Sequence, residues 1–171
     1  MKTMPPVARR GISKELFGFN GIEIRAMADA DIHDVVEIEK RGQSAPWSEK
    51  QFYDEVKLIS VSTPMVAVIE KQIVGFAVPW YVGDEIDLTN IGVDPKFRRQ
   101  GVATKLLQRI VQKGEQGKFH RIHLEVRKSN TGAISFYQKF GFRETGIRQQ
   151  YYPDTREDAV LMVCDPDIRK Y

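Results

Sequence analysis

Apolar residues in the first third of the chain repeat at spacings typical of one short strand followed by two helices. Residues 22–24 alternate between apolar and polar, which predicts the strand. The first helix is predicted to begin near residue 30, and its apolar face consists of Ile32, Val35, Val36 and Ile38. Ser48 and Gln51 form a capping-box pattern, so a second helix is predicted to run from there to about residue 58.

Two apolar runs, Met65–Ile69 and Ile73–Val78, are separated by three polar residues and predict a β-hairpin. Pro79 follows the second run directly. Because proline has no N–H to donate to a strand ladder, a bulge or an unpaired edge position is expected at this point.

The strand predicted after this hairpin changes its apolar parity half-way along. Ile86 and Leu88 place apolar side chains at even positions, whereas Ile91 and Val93 place them at odd positions. Side chains alternate between the two faces of a strand, so one face carries both pairs only if an extra residue lies between them. The pattern predicts a β-bulge near Thr89-Asn90; a strand buried on both faces is the alternative.

The second half of the chain continues with helices and strands in turn. A helix from Gly101 to Gly117 has a buried face made by Leu106, Leu107, Ile110 and Val111. Residues 121–127 alternate as a strand, and the helix after them is capped by Ser129 or Asn130 and stopped by Gly141. Strands at 142–152 and 158–164 complete the chain. We therefore predict a mixed α/β fold with four helices and about seven mostly antiparallel strands, including a parallel pair near the middle.

Composition restricts the class of protein further. The 171 residues suit one domain over 21–171, preceded by a loosely ordered extension over 1–20. The formal net charge of +3 is too balanced to predict nucleic-acid binding. Cys164 is the only cysteine and the three histidines lack metal-ligand spacing, so neither a disulfide nor a metal site is expected. With no signal-peptide pattern and no membrane-spanning run, we expect a cytoplasmic protein.

One motif suggests a phosphate site. The segment Arg98-Arg99-Gln100-Gly101-Val102-Ala103 stands between a predicted strand and the start of an amphipathic helix. Backbone N–H groups at a helix N-terminus have no intrahelical partner and favour an anion, and small side chains let it approach. A pyrophosphate fits this arrangement, but an ordinary solvated helix start fits it as well. The motif lacks the Gly-Lys-Ser/Thr ending of a Walker loop.

Several motifs together resemble the GNAT acetyltransferase superfamily. Residues 91–95 (Ile-Gly-Val-Asp-Pro), followed by Arg98-x-x-Gly101-x-Ala103, resemble its acetyl-CoA signature. The stretch Leu124–Asn130 is similar to the branch that acetylates protein N-termini, the RimI-like ribosomal-protein-alanine acetyltransferases. So are three later motifs: Phe136-Tyr137, Phe140-Gly141-Phe142 and Tyr151-Tyr152-Pro153. The resemblance covers roughly residues 22–163 and implies the GNAT fold, with a splayed central parallel pair, and acetyl-CoA as cosubstrate.

The resemblance also implies which residues contact acetyl-CoA. They are Ile91, Gly92, Val93, Arg98, Arg99, Gln100, Gly101, Val102, Ala103, Thr104 and Asn130. Without the family, Asn130 reads as a helix cap, and both roles are compatible. Gly92 stands where RimI-like sequences usually carry alanine, and Ala103 stands where a second glycine is commoner. Both residues are small, so neither departure argues against cofactor binding.

For catalysis the resemblance implies Glu125 as general base and Tyr137 as general acid. An α-ammonium group has a pKa of about 8, so a carboxylate can deprotonate it near pH 7. A lysine side chain, with a pKa of about 10.4, is harder to deprotonate, which favours an N-terminus as acceptor. On the residues alone, Glu125 could instead pair with Arg127 or His123. Tyr137 could likewise be a core aromatic on an apolar helix face. No covalent acyl-enzyme is needed, and the only cysteine, Cys164, lies far along the chain, so we expect direct transfer in a ternary complex.

Substrate recognition is expected from two segments. Tyr151 and Tyr152, with Arg148 just before them, would form one wall against a peptide backbone, and Trp47 would form the opposite wall; loop packing is the alternative. The resemblance implies a protein N-terminus as acceptor, in particular the alanine terminus of a small-subunit ribosomal protein. A GNAT enzyme acting on a small amine or a lysine side chain is the alternative. We expect a monomer or weak dimer.

Overall fold

The computed structural model describes residues 21–116 and 119–165, so the predicted extension over 1–20 and the predicted helix stop at Gly117 lie outside them. Seven strands and four α-helices occur in these ranges, as predicted. The strands are β1 Glu23–Ala26, β2 Met65–Ile69, β3 Gln72–Val82, β4 Glu85–Val93, β5 Arg121–Arg127, β6 Arg143–Tyr152 and β7 Glu157–Cys164. The helices are α1 Ile32–Gly42, α2 Glu49–Lys57, α3 Val102–Gln116 and α4 Thr131–Lys139. Short 3-10 helices cover Asp29–Asp31 and Pro95–Phe97.

All seven strands belong to one sheet in the order β1-β2-β3-β4-β5-β7-β6. β4 and β5 pair in parallel, and the other neighbouring strands of the described sheet pair antiparallel. The crossover between the parallel strands contains α3. The prediction of a mostly antiparallel sheet with a central parallel pair is confirmed.

The bulge predicted from the parity change is present in β4. Val78 pairs with Asn90 and Pro79 pairs with Leu88, so Thr89 is the extra residue. The Thr89 hydroxyl donates a hydrogen bond of 2.8 Å to the Val78 carbonyl oxygen. Pro79, which cannot donate to a ladder, stands opposite this irregularity, as expected for proline inside a sheet.

As a result, both apolar pairs of β4 face the same core. That core lies between the sheet and the helices α3 and α4, and Ile86, Leu88, Ile91 and Val93 all pack in it. The second core lies on the other face of the sheet, where α1 and α2 cover β2 and β3. The N-terminal helices and the C-terminal helices therefore lie on opposite faces.

Beyond the bulge, the parallel strands separate. Pairing between β4 and β5 covers Glu85–Leu88 and Arg121–Leu124 and ends there. From Thr89 onward β4 pairs only with β3, and from Glu125 onward β5 pairs only with β7. The splay implied by the resemblance is thus confirmed, and it opens a gap in the middle of the sheet.

Local capping agrees with the sequence prediction. The Ser48 side chain accepts from the Gln51 backbone N–H at 3.3 Å, and the Ser48 N–H donates to Gln51 Oε1 at 2.9 Å. This is the predicted capping box of α2. Gly141, with φ of 81°, follows the C-terminus of α4, where a left-handed residue is favourable. No helix in the described ranges is both long and apolar enough to cross a membrane.

Candidate active site

Glu125 lies on β5 at the point where this strand leaves β4. Its Oε1 is 2.6 Å from Nη1 of Arg148. Hydrogen bonding with Glu125 is the first cause that raises the pKa of Tyr151. The Arg148 guanidinium lies 5.0 Å from the centre of the Tyr151 ring. The candidate base is therefore held between two of the residues predicted to bind substrate.

Neither of the partners that the sequence offered as alternatives pairs with Glu125. Arg127 instead donates to both carboxylate oxygens of Asp154, at 2.9 and 2.8 Å, and its guanidinium lies 3.9 Å from the centre of the Tyr152 ring. His123 Nε2 lies 3.2 Å from Glu85 Oε2. The alternative in which Glu125 pairs with one of these two neighbours is wrong, because Arg148 on β6 reaches Glu125 across β7.

Tyr137 lies on α4 on the opposite face of the sheet from Glu125. It is buried in the core with Leu124 and Val126, and its ring lies 5.4 Å from Phe136 and 5.5 Å from Phe142. Burial raises the pKa of the hydroxyl, so the phenol stays protonated at neutral pH. The residue is a core aromatic, as the alternative reading expected, and it also keeps a proton available to donate.

A groove of about 860 Å³ runs over the Glu125 face of the sheet. Trp47 and α2 form one side, and Arg148, Tyr151 and Tyr152 form the other, so the structure brings together all four predicted substrate-binding residues. Ser44 Oγ, between α1 and α2, donates to Asp154 Oδ2 at 2.9 Å and links this loop to the turn between β6 and β7. Burial is the first cause that raises the pKa of Tyr152, to about 12.

The groove is acidic. Among the described residues that line it, five carry carboxylates and one carries a guanidinium; the carboxylates are Asp54, Glu55, Glu85, Asp87 and Glu125. Such a lining raises the local concentration of cations and disfavours anions. The groove therefore suits an acceptor that arrives as an ammonium ion.

The predicted phosphate loop leads into α3. Arg99 and Gly101 have positive φ angles of 63° and 86°. The first intrahelical bond runs from the Lys105 N–H to the Gly101 carbonyl, so the preceding N–H groups at 102–104 have no helical acceptor. A Cβ added at Gly101 would meet no atom within 4 Å, so space is open beside this backbone. These features fit a bound pyrophosphate.

Two other side chains of this loop are tied to the backbone beside it. Arg98 Nε donates to the Val93 carbonyl at 3.4 Å, and Gln100 Nε2 donates to the Lys96 carbonyl at 3.0 Å. The loop thus closes onto the end of β4. Asn130 caps α4 by accepting the Ala133 N–H at 3.1 Å, so the capping role is observed and its cofactor role stays a prediction.

Gly92 differs from its usual counterpart for a reason visible in the packing. A Cβ at this position would lie 2.5 Å from Cε1 of Phe76, which is fully buried. Real Cβ atoms do not approach this closely. The chain therefore has glycine at 92 because the phenylalanine ring already occupies the space of an alanine methyl group.

The family assignment agrees with this geometry. The acetyltransferase (GNAT) family model matches residues 32–142, which include the phosphate loop, Glu125 and Tyr137. The chain belongs to the GNAT acetyltransferase family.

Individual proteins and solved structures are similar to this GNAT protein over most of its length. The Escherichia coli K12 [ribosomal protein bS18]-alanine N-acetyltransferase is 36% identical over 141 residues, which are 81% of this chain and 94% of that protein. The crystal structure of the E. coli ribosomal-protein-S18-alanine N-acetyltransferase superposes with a TM-score of 0.78 at 34% identity, covering 86% of this chain and 95% of that one. Ard1 from Thermoplasma volcanium gives a TM-score of 0.78 at 27% identity, with 85% and 97% covered.

Sequence reasoning did not identify Glu39 as a buried carboxyl group of this GNAT protein. Glu39 on α1 is 2% exposed, and its Oε1 accepts hydrogen bonds from the Trp47 N–H and from Asn90 Nδ2. The available signal was its place on the apolar face of the helix, four residues after the buried Val35. A charge at such a position is uncommon unless it is paired.

The described residues contain no group of three or more His, Cys, Asp or Glu side chains arranged to hold a metal ion.

Proposed function

We propose that this GNAT acetyltransferase transfers the acetyl group of acetyl-CoA to the free α-amine of a protein N-terminus, with the N-terminal alanine of a small-subunit ribosomal protein as the first candidate. The observation that carries the proposal is the acidic groove, in which Glu125 lies between Arg148 and Tyr151 beside the gap in the sheet. The relatives named as bS18-alanine N-acetyltransferases support the choice of acceptor.

Acetyl-CoA would bind on the opposite side of the gap from the acceptor. The N–H groups at the start of α3 and the open space at Gly101 suit its pyrophosphate. Arg98 and Arg99 add positive charge. The segment Ile91–Val93, which has no partner on β5, would lie along the acetyl and pantetheine arm. The acetyl group would then be delivered into the gap between the strands.

The reaction needs three proton transfers. Glu125, directly or through water, takes a proton from the acceptor ammonium, whose pKa of about 8 is close to neutral pH. The neutral amine attacks the thioester carbonyl carbon, so a C–N bond forms and the C–S bond breaks, and the nitrogen releases its second proton to solvent as the amide forms. The departing thiolate takes the proton of the Tyr137 hydroxyl, which burial keeps protonated. Solvent then restores the tyrosine proton.

Each side of the groove has a part in selecting a peptide. Tyr151 and Tyr152 meet edge to face with their ring centres 5.2 Å apart, and Trp47 lies on the facing side. Aromatic side chains on both sides of the groove would contact the first residues of a peptide chain, which a small amine does not have. The acceptor is therefore proposed to be a peptide terminus, and the reaction to take place in the cytoplasm, where ribosomal proteins are made.

The test is an acceptor panel with acetyl-CoA turnover as the readout. It compares a peptide with a free N-terminal alanine, the same peptide with a blocked N-terminus and one internal lysine, and the polyamine spermidine. We expect turnover with the free N-terminus and at least about 10-fold lower kcat/KM for the other two. Turnover confined to spermidine or to the blocked lysine peptide would contradict the proposal.

A further inference from the structure

The buried carboxyl group of Glu39 lies in surroundings that do not favour a charge. The residue is 2% exposed, it has no salt bridge to a described cation, and its Oε2 has no hydrogen-bond partner. Desolvation is the first cause that raises the pKa of this carboxyl. Burying such a group costs free energy, so its place in the fold calls for a reason.

The two hydrogen bonds of Glu39 connect two parts of the proposed site. Oε1 accepts from the backbone N–H of Trp47 at 3.2 Å and from Nδ2 of Asn90 at 3.1 Å. Trp47 belongs to the α1–α2 loop, which lines the acceptor groove. Asn90 follows the bulged Thr89 and precedes the segment proposed to hold the acetyl arm. One oxygen atom, Glu39 Oε1, therefore joins the Trp47 side of the groove, here called the Trp47 wall, to the bulged end of β4.

A second path of contacts links the same two parts. The Trp47 ring lies 5.4 Å from the Phe52 ring, and the Phe52 ring lies 5.3 Å from the Phe76 ring. Phe76 in turn fills the space beside Gly92 on β4. The polar path through Glu39 and the aromatic path through Phe52 and Phe76 both start at Trp47 and both end on residues 90–92. Two separate sets of contacts thus hold the Trp47 wall at a defined distance from residues 90–92 of β4.

We propose that Glu39 is a positioning residue, which fixes the Trp47 wall against the bulged end of β4 and so sets the distance between the acceptor amine and the acetyl group. The inference rests on the proposed function, since that proposal assigns the wall to the acceptor. Glu39 lies under the groove wall and acts through Trp47 and Asn90. A loosened wall would misplace the amine, and small misplacements of reacting groups are costly to the rate.

The test compares three variants under acceptor and cofactor titration. Glu39→Leu removes the acceptor oxygen, Glu39→Gln keeps one, and Glu37→Leu changes a half-exposed glutamate of the same helix that pairs with Lys40. We expect kcat/KM for the acceptor to fall about 10-fold or more in Glu39→Leu, and to stay within about threefold of wild type in the other two. The Kd for CoA should change by less than about twofold, and Tm by less than about 3 °C.

A purely structural role would give a different result. Glu39→Leu would then lower Tm and CoA affinity together with activity, and Glu39→Gln would not restore the acceptor kcat/KM; either result would overturn the proposal. So would an acceptor kcat/KM in Glu39→Leu that stays within about twofold of wild type.

A double-mutant cycle makes the inference independent of how well one variant folds. Asn90→Ala removes the other end of the contact, and Glu39→Leu combined with Asn90→Ala should be no worse than the more damaging single change, because both act through one interaction. Fully additive losses would overturn the proposal. The cycle is run with the amine that wild type acetylates best, so a wrong choice of acceptor in the proposed function shows up in the wild type alone.

Discussion

At the scale of single residues, the proposed chemistry depends on two ionisable side chains in different surroundings. Glu125 lies in an acidic groove and is held by a guanidinium, whereas Tyr137 is buried among aromatic rings. The first is suited to accept a proton, because it is reachable from the groove. The second is suited to release one, because burial keeps its phenol neutral at the working pH.

Glu125→Gln removes the proposed base and preserves its size. We expect kcat to fall about 100-fold or more, because the acceptor ammonium then loses its proton only to solvent. The Kd for CoA should be unchanged, since the carboxylate faces the acceptor groove. Steady-state kinetics and CoA titration check both statements, with Glu144→Gln on exposed β6 as the matched control. Turnover close to wild type would remove Glu125 from the mechanism.

Tyr137→Phe removes the proposed acid and keeps the ring. Packing against Phe136 and Phe142 is retained, so we expect Tm to change by only a few degrees, about 3 °C or less. We expect kcat to fall by about 10- to 100-fold, because the thiolate then leaves without a proton donor. Tyr53→Phe, at a 46% exposed tyrosine, is the control. An unchanged kcat would show that the hydroxyl has no part in thiol release.

At the scale of secondary structure, β4 and the start of α3 carry the proposed cofactor site together. Thr89 adds one residue to β4, which turns Ile91 and Val93 toward the α3 core and ends the pairing with β5. The loop after β4 then enters α3 through Gly101, which has a positive φ. A bulge and a helix N-terminus thus lie within one short stretch of chain.

Gly101→Asp tests the helix end. The carboxylate would repel a pyrophosphate at N–H groups that favour anions, so we expect CoA affinity to fall by about 100-fold or more. Isothermal titration with CoA measures this. Gly83→Asp is a close control, because Gly83 also has a positive φ, of 59°, and open space around it, but lies in the β3–β4 turn. Equal CoA affinity in the two variants would place the pyrophosphate elsewhere.

Gly92→Ala tests the contact between β3 and β4. Its Cβ would lie 2.5 Å from the Phe76 ring, so the fully buried ring would have to shift. We expect the free energy of unfolding to fall by about 1–3 kcal/mol, because overpacking a buried core usually destabilises a protein by this amount. Adding Phe76→Leu makes room and should recover part of the loss, which thermal unfolding of the single and double variants measures. Additive destabilisation would contradict this account of the glycine.

At the scale of the whole molecule, β1 is joined to the start of α1 by an ion pair. Arg25 donates to both oxygens of Asp31, at 2.6 and 2.8 Å, and the Ala28 N–H donates to the same carboxylate at 2.8 Å. The hydrogen bond from Arg25 is the first cause that lowers the pKa of Asp31. This contact connects the edge strand of the sheet to the helix layer that carries the acceptor wall.

Asp31→Asn should destabilise the protein in a pH-dependent way. A carboxyl with a lowered folded-state pKa stabilises the fold above its unfolded pKa of about 4, and this stabilisation is lost as the pH falls through the folded value. We therefore expect a lower Tm for the variant at pH 7 and a difference that shrinks on acidification below about pH 4. Asp34→Asn, at an exposed position of α1, is the control. A Tm difference that persists at low pH would show that the charge is not its cause.

Particular residues show which features of the structure the sequence predicts. The bulge at Thr89, the capping box at Ser48 and the end of α4 at Gly141 were all predicted, because side-chain alternation and helix ends depend on neighbours a few residues apart. The family motifs then indicated candidate site residues. The contact between Glu125 and Arg148 was not predicted, because Arg148 lies on β6 and reaches the carboxylate across β7.

The sequence alone thus determined the elements of this protein, their order, the parity change in β4 and the residue types available for acid, base and phosphate binding. Only the tertiary structure decided which of them meet: Glu125 with Arg148, Glu39 with Trp47 and Asn90, and Phe76 with the space beside Gly92. The physical reason is the separation along the chain of the residues that interact. Periodicity and caps arise from local hydrogen bonds and alternation, whereas these contacts depend on the strand order and on helices packed from distant parts of the chain.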